Sequence, residues 1–309
     1  EEYATLSRLH PLSCLAASPT THSDAPAAER YPGAMERYKR VKTIGKGAFG
    51  LASLVQARSD PTQRYVIKEI DITMLKPDAR EVAMQEVALL KAFDHPNIVR
   101  YVESFTEAGT LHIVMDYAEG GDLRGLISER RAESRLLLEE QVVDYFVQLA
   151  LAMQHVHERK VLHRDLKPQN IFLSHGRRVL KLGDFGIAKS LEHSLDLART
   201  RAGTPYYMSP ELCSDKPYND KSDVWSMGCV LYELCALGPP FDAPSMLGLM
   251  HKIVAGAYEP VPQLYSADVH ALVAACLDTS HTKRPTVPAL LARHALLADR
   301  VDRHLARPP

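Results

Sequence analysis

A chain of 309 residues, 46% of them hydrophobic, is long enough to bury a sizeable core in one large domain. With 37 basic against 38 acidic residues it carries no polyelectrolyte signature, so nucleic acid is not an expected partner. The five cysteines, at positions 14, 213, 229, 235 and 276, are odd in number and form no Cys-x-x-Cys pair, which favours a reducing, cytoplasmic setting over a disulfide framework or a zinc site.

Residues 1–33 are rich in Ala, Ser, Thr and Pro and show no helical or strand period, the composition of a disordered leader. A start at Glu-Glu rather than Met reads as a fragment, and two acids with little arginine speak against a transit peptide. From Tyr38 to about Tyr117 strand patterns dominate. Val41 to Ile44 and Leu51 to Ala57 flank a glycine-rich turn, Ile44-Gly45-Lys46-Gly47-Ala48-Phe49-Gly50, and Arg64 to Ile70 follows as a third strand. One helix is expected over Ala79 to Phe93, with Ala83, Val87 and Leu90 on its apolar face. The run Met115-Asp116-Tyr117-Ala118-Glu119-Gly120-Gly121-Asp122 joins the last strand to a series of helical periods that fills the rest of the chain. A small β-rich lobe therefore precedes a larger α-helical lobe, an α+β arrangement. His155 and His157 diverge on their helix and make a poor metal pair. Charged residues interrupt every hydrophobic helix before bilayer length, so a soluble protein without a membrane partner is expected.

Chemistry concentrates in His163-Arg164-Asp165-Leu166-Lys167-Pro168-Gln169-Asn170, followed closely by Asp184-Phe185-Gly186. Two carboxylates, a lysine and an amide in one short stretch suit phosphoryl transfer, which asks for positioned magnesium, neutralised phosphate charge and an oriented nucleophile. Asp165 would hold a substrate hydroxyl and take its proton, Asn170 and Asp184 would offer hard oxygens to magnesium, and Lys167 reaches the migrating phosphate. The glycines Gly45, Gly47 and Gly50 let a tight turn lay backbone amides over phosphate oxygens. Strands on both sides make this a hairpin flap rather than a dinucleotide loop, which would open a helix. Lys68, flanked by apolar residues on its strand, needs an anion. Glu86 lies on the inner helix face and is the expected partner, with Glu81 the fallback, and the pair would aim Lys68 at the ATP phosphates. The crossing strand at Asp116 to Ala118 offers backbone N–H and C=O groups to adenine. Asp122 either binds a ribose hydroxyl or caps its helix.

On these residues the chain resembles the eukaryotic protein kinases over roughly Tyr38 to Ala298, with a small lobe to about residue 117, a large lobe from 118 to 298 and a short tail from 299 to 309. Within them it is similar to the NIMA-related serine/threonine kinases through Tyr-Val-Ile-Lys-Glu-Ile, Ile-Val-Met-Asp-Tyr, Gln-Asn-Ile-Phe-Leu, Lys-Leu-Gly-Asp-Phe-Gly-Ile-Ala, Leu-Ala-Arg-Thr and Gly-Thr-Pro-Tyr-Tyr. The resemblance implies ATP and Mg2+ as cofactors, a two-lobed fold, and a purine held between Ile44, Ala52 and Val66 above and Phe172 below, with Met115 at the rear. Ala52 and Val66 exchange the bulk usual at those two positions. It also implies a packed column of Leu90, Tyr101, His163, Phe185 and Asp223.

The same resemblance makes Asp184 to Glu211 an activation loop, anchored by Glu211 on Arg284. It marks Thr200 as a phosphorylation site, received by Arg164 and Lys189. The phosphate would come from an upstream kinase or from a second copy acting in trans. Thr204 would bridge Asp165 and Lys167, and with Lys167 it implies serine or threonine acceptors in protein substrates. Gln169 stands where many arginine-seeking kinases have a glutamate, so a strong preference for basic residues just before the acceptor is not expected, and the family resemblance separately implies a large apolar residue three positions upstream. Cytoskeletal, centrosomal or basal-body association is family inheritance, and the oligomeric state is open. The alternative of a catalytically weak ATP-binding scaffold would be signalled by loss of Lys68, Asp165 or Asp184, and all three are present.

Overall fold

The computed structural model describes residues 33–47, 50–73, 75, 77–185 and 206–305. After a short 3-10 turn at Ala34–Arg37 come five strands: β1 (Tyr38–Gly47), β2 (Gly50–Ala57), β3 (Arg64–Asp71), β4 (Tyr101–Glu107) and β5 (Thr110–Asp116). One helix, α1 (Pro77–Ala92), lies between β3 and β4. The strands form an antiparallel sheet in the order β1-β2-β3-β5-β4. β1 runs further than its apolar pattern predicts, because the ladder continues past register shifts at Arg40/Lys42 and Thr43/Gly45 to pair Gly47 with Gly50.

Alternation sorts the sheet into two faces. Val55, Ile67 and Val114 close a small cluster on one face, with Tyr65 and Phe105 against it. Register puts Ala52, Lys68 and Ile113 side by side on the other face, beside Val66 and Met115. That second face looks to the main core, where Ala83, Val87 and Leu90 of α1 are buried at i, i+4 and i+7, while Glu81 is exposed.

The large lobe carries a two-stranded hairpin, β6 (Ile171–Ser174) and β7 (Val179–Leu182). Its helices are α2 (Leu123–Ala132), α3 (Glu139–Glu158), α4 (Pro210–Cys213), α5 (Asp220–Ala236), α6 (Met246–Ala255), α7 (Ala267–Cys276), α8 (Val287–Arg293) and α9 (Ala295–Leu305). Asn219 starts α5 through a capping box with Ser222, and Ser245, Ser266 and Thr286 cap α6, α7 and α8. α3 and α5 are buried along most of their length and form the centre of this lobe, where Trp225 stacks on Phe241 at 5.4 Å. The expected two-lobed α+β fold is the observed one. Among the described residues no helix is long and apolar enough to cross a membrane.

Candidate active site

The chemistry-bearing stretch lies between α3 and β6 and is held from behind by one buried carboxylate. Asp223, in the first turn of α5, accepts the backbone N–H of His163 on Oδ2 at 3.0 Å and that of Arg164 on Oδ1 at 3.1 Å. His157 from α3 reaches the same Oδ2 at 2.8 Å, and the Tyr218 hydroxyl donates to Oδ1. Burial alone would push the Asp223 carboxyl up, but the hydrogen bond and charge of His157, with His163 and Tyr218, hold it below the usual range. Arg164 needs this support because its φ is +65°, a left-handed conformation that side chains resist.

His163 is fully buried and its geometry assigns its proton. Nδ1 faces the Asp165 N–H at 3.3 Å and must accept, so Nε2, 3.1 Å from the Gly183 carbonyl, carries the hydrogen. Burial lowers its pKa, in keeping with that neutral ring. The ring thereby joins the Asp165 loop to the residue before Asp184. A second tie runs from the Gly183 N–H to the Asn170 carbonyl at 3.0 Å. Gly183 is required there, since a Cβ would lie 2.9 Å from the Phe172 ring and 3.0 Å from Val99.

Around this frame the functional side chains converge. Lys167 Nζ sits 2.7 Å from Asp165 Oδ2, and Asn170 Nδ2 donates to the Asp165 carbonyl at 2.8 Å and to Oδ2 at 2.9 Å. Asp184, at φ +51°, accepts from Lys68 Nζ on Oδ1 at 2.7 Å, across 116 residues of sequence. The Phe185 ring stacks on Phe93 at 4.8 Å and lies 4.9 Å from His163. The amide nitrogen of Asn170 is spent on Asp165, which leaves its oxygen, together with the Asp184 carboxylate, as a hard-oxygen pair. Such a pair suits magnesium, which shares its sphere with phosphates and water. Among the described residues no group of three His, Cys, Asp or Glu is gathered to hold a metal by itself.

The small lobe meets these groups through Lys68 of β3, and its glycine-rich hairpin joins β1 to β2. Gly50 cannot be replaced without distortion, because a Cβ would fall 1.6 Å from the Glu69 carbonyl oxygen, whereas at Gly45 it would meet only the Ala52 methyl at 3.6 Å. Ile44 is exposed on β1, and Ala52 and Val66 are half-buried on the inner face. Met115 shares a small cavity with Lys68, Leu90, Val99, Ile113, Gly183, Asp184 and Phe185.

At the joint, the Asp116 N–H goes to the Arg100 carbonyl at 3.0 Å and its carboxylate receives both Arg100 guanidinium arms at 2.9 and 2.8 Å. Of the backbone groups proposed for adenine, the Asp116 N–H is therefore already engaged. Ala118 is half-buried in the connection. Gly120 and Gly121 exchange hydrogen bonds with Leu173, each 2.8 Å long, which sets the joint against β6 and Phe172. Asp122, for which capping and ribose binding stood open, accepts the Gly125 N–H at 2.7 Å and caps α2.

Glu211 and Arg284 meet as a buried bidentate pair at 2.9 and 3.2 Å, with Ser222 donating to Glu211 at 2.6 Å. Thr200, Lys189 and Thr204 lie outside the described residues, as does the side chain of Glu86, so what the structure gives Lys68 is Asp184. Tyr101, expected in the packed column, is half-buried against the main core with its hydroxyl on Ser104 at 2.8 Å, and Phe93 adds a ring stacked on Phe185. Sequence reasoning missed the roles of Phe93, His157, Tyr218 and Arg100. Of these only Phe93 carried a signal, as the next apolar position after Leu90, one residue past the end of α1.

The chain matches the protein kinase domain family over residues 38–296. It is 48% identical over 272 residues to the serine/threonine-protein kinase Nek1 of Mus musculus, covering 88% of this chain and 22% of that protein. It is 46% identical over 259 residues to Nek5 of Homo sapiens, 84% of this chain and 36% of that protein. It is 42% identical over 286 residues to Nek2 of Homo sapiens, 89% of this chain and 64% of that protein. The chain thus spans less than two thirds of the length of each of these relatives.

Proposed function

The chain belongs to the protein kinases and, within them, to the NIMA-related serine/threonine kinases, and from that premise we propose that it transfers the γ-phosphoryl group of ATP to serine and threonine hydroxyls of proteins. The observation that carries this reading is the convergence of Lys167 and Asn170 on Asp165, with Asp184 tied through Gly183 to Asn170 and through Oδ1 to Lys68.

Asp165 accepts the acceptor hydroxyl as a hydrogen-bond donor and receives its proton as the new O–P bond forms and the bond to the departing ADP oxygen breaks. Lys167, already beside the carboxylate, offsets charge on the phosphoryl oxygens in flight. Lys68 is directed at the phosphates, and the backbone of the glycine hairpin covers them and excludes water. Magnesium, when bound at Asn170 and Asp184, supplies charge neutralisation at the phosphate oxygens. Adenine sits under Ile44, Ala52 and Val66, over Phe172 and before Met115.

Phosphate on Thr200, received by Arg164 and Lys189, is the proposed activating modification, and mass spectrometry across 197–201 tests it: a purified active protein with no phosphate there overturns it. A cytoplasmic site of action, with association to cytoskeleton, centrosome or basal body, comes with the family alone.

The deciding experiment is radiolabel transfer from magnesium-ATP to casein with phosphoamino-acid analysis, beside an Asp184→Ala control. Phosphoserine and phosphothreonine from the wild type and none from the control are expected. Equal labelling by both proteins, or phosphotyrosine alone, defeats the reading.

A further inference from the structure

The last helix, α9, turns a polar side chain inward that none of the chemistry above uses. His304 Nε2 lies 2.8 Å from Asp144 Oδ1 of α3, with 10% of the His304 side chain exposed against 34% of the Asp144 side chain. Burial alone would push the Asp144 carboxyl up, but the hydrogen bond and charge of His304, with Gln148 and Arg300, hold it below the usual range. An ionised carboxylate only accepts, so His304 donates from Nε2, and the second oxygen, Oδ2, takes Gln148 Nε2 at 3.1 Å.

Gln148 is buried one turn further along α3, and every bonding position of its amide is filled. Nε2 also donates to the Arg178 carbonyl at 3.0 Å, while Oε1 accepts from Asn97 Nδ2 and from the Leu180 N–H, both at 2.8 Å. Asn97, buried as well, donates from the same Nδ2 to the Leu180 carbonyl at 3.0 Å, and its own backbone carbonyl accepts the Leu182 N–H at 2.8 Å. Leu182 is the last residue of β7, and Gly183 and Asp184 follow it. An unbroken run of hydrogen bonds therefore leads from α9 through α3 to the strand that delivers Asp184. The run also has a direction. With its amide reversed, Gln148 would set NH2 against the Asn97 and Leu180 donors, and Asp144 and the Arg178 carbonyl oppose that reversal.

Resting on the kinase reading above, we propose that His304 is a positioning residue for phosphoryl transfer: by holding Asp144 against Gln148 it keeps β7 seated on Gln148 and Asn97, and so fixes the backbone from which Asp184 reaches the site. Asp184 depends on such support, because its φ of +51° is a pose that a residue with a Cβ resists. Without His304 the half-exposed Asp144 turns to water. The Gln148 amide then loses its ionic anchor, and the β7 backbone loses the fixed acceptor at Leu180. α9 thus belongs to the catalytic framework although it contributes no group to the site itself.

The test joins steady-state kinetics, with magnesium-ATP and casein, to amide hydrogen exchange of the nucleotide-free protein. In His304→Ala, kcat is expected to fall about fivefold with KM for ATP within about twofold of the wild type, and the Leu180 and Leu182 amides to exchange about fivefold faster. His304→Gln, whose side-chain N–H has a similar reach, restores both. His304→Ala added to Asp144→Ala brings no further loss, since the two residues act as one unit. Leu272→Ala, a core truncation in α7, lowers the melting temperature at least as far as His304→Ala but leaves kcat unchanged. An active wild type whose kcat is the same in His304→Ala overturns this inference alone, as does a fall in kcat without faster exchange at Leu180 and Leu182, or one that Leu272→Ala reproduces. A wild type that transfers no phosphate removes the kinase reading and this inference with it.

Discussion

Asp223 and Arg164 are joined through backbone rather than side chain: Oδ1 accepts the Arg164 N–H at 3.1 Å while that residue sits at φ +65°. A left-handed conformation costs a residue with a Cβ about 1–2 kcal/mol, so the loop bearing Asp165 is held in a pose it would not keep by itself. The anchor lies on α5, the most buried helix of the large lobe together with α3, and catalytic geometry is thereby coupled to the core.

Asp223→Asn tests that coupling. The amide preserves shape but sets an NH2 group against N–H donors, so one of the two backbone bonds is lost. Turnover is expected to fall about a hundredfold with KM for ATP changed less than about threefold, since the glycine hairpin and Lys68 are untouched. Steady-state kinetics with circular dichroism decide it, and unchanged kcat in a folded variant would show that Arg164 keeps its pose without Asp223.

The Glu211–Arg284 pair is a stability element with a different signature. Breaking one side of a buried, bidentate pair leaves an uncompensated charge, so Glu211→Gln should cost about 3–5 kcal/mol in urea unfolding. Arg284 would then face only carbonyls and the Trp225 ring, whose centroid is 5.0 Å from its guanidinium carbon. The double variant Glu211→Leu/Arg284→Met should be milder than either single change. A single variant as stable as the wild type contradicts the pairing.

Which of these relationships the sequence disclosed follows from the range of each interaction. Asp165, Lys167, Asn170 and Asp184 announce themselves because phosphoryl transfer demands their types at short spacing. The inner face of α1 was legible because Ala83, Val87 and Leu90 repeat with the helix. The Lys68–Asp184 contact was not, since it depends on how two lobes close and no local period encodes that. His157 and Tyr218 were invisible for a related reason: polar side chains read as surface until a buried acceptor such as Asp223 is placed beside them. The Val41 start of β1 was misjudged because residues such as Lys39 and Arg40 carry no apolar signal, although they pair with β2 all the same.

Acid should weaken the fold well before carboxylates titrate. Burial depresses the pKa values of His95, to about 4, and of His112, His155, His163 and His294 below the ordinary 6.5. The unfolded chain takes up protons near pH 6.5 that the folded one refuses, so this stability is complete above that pH and is lost as pH falls toward the folded values. The denaturation midpoint should therefore decline from pH 7.5 to 5.5. Glu211 and Asp223, with pKa values held below 4.5 and 3.8, add their losses only in more acid solution. A midpoint flat across pH 7.5 to 5.5 would mean these rings are protonated as readily folded as unfolded.

Two glycines of the hairpin separate a folding requirement from a binding one. A Cβ at Gly50 would stand 1.6 Å from the Glu69 carbonyl, next to Lys68 on β3, so Gly50→Ala must push β2 off β3 and disturb the register that sets Ala52 opposite Lys68. Gly45→Ala meets only the Ala52 methyl at 3.6 Å, an ordinary contact, and leaves the ladder alone. The expected result is a lower melting temperature and about a tenfold or greater loss of kcat/KM for ATP in Gly50→Ala. Gly45→Ala should melt with the wild type and differ from it only in KM for ATP, since its methyl intrudes on the surface proposed to cover the nucleotide. Paired thermal melts and ATP titrations of the two variants check this, and equal melting temperatures would refute the close approach of Gly50 to Glu69 on which the hairpin's placement depends.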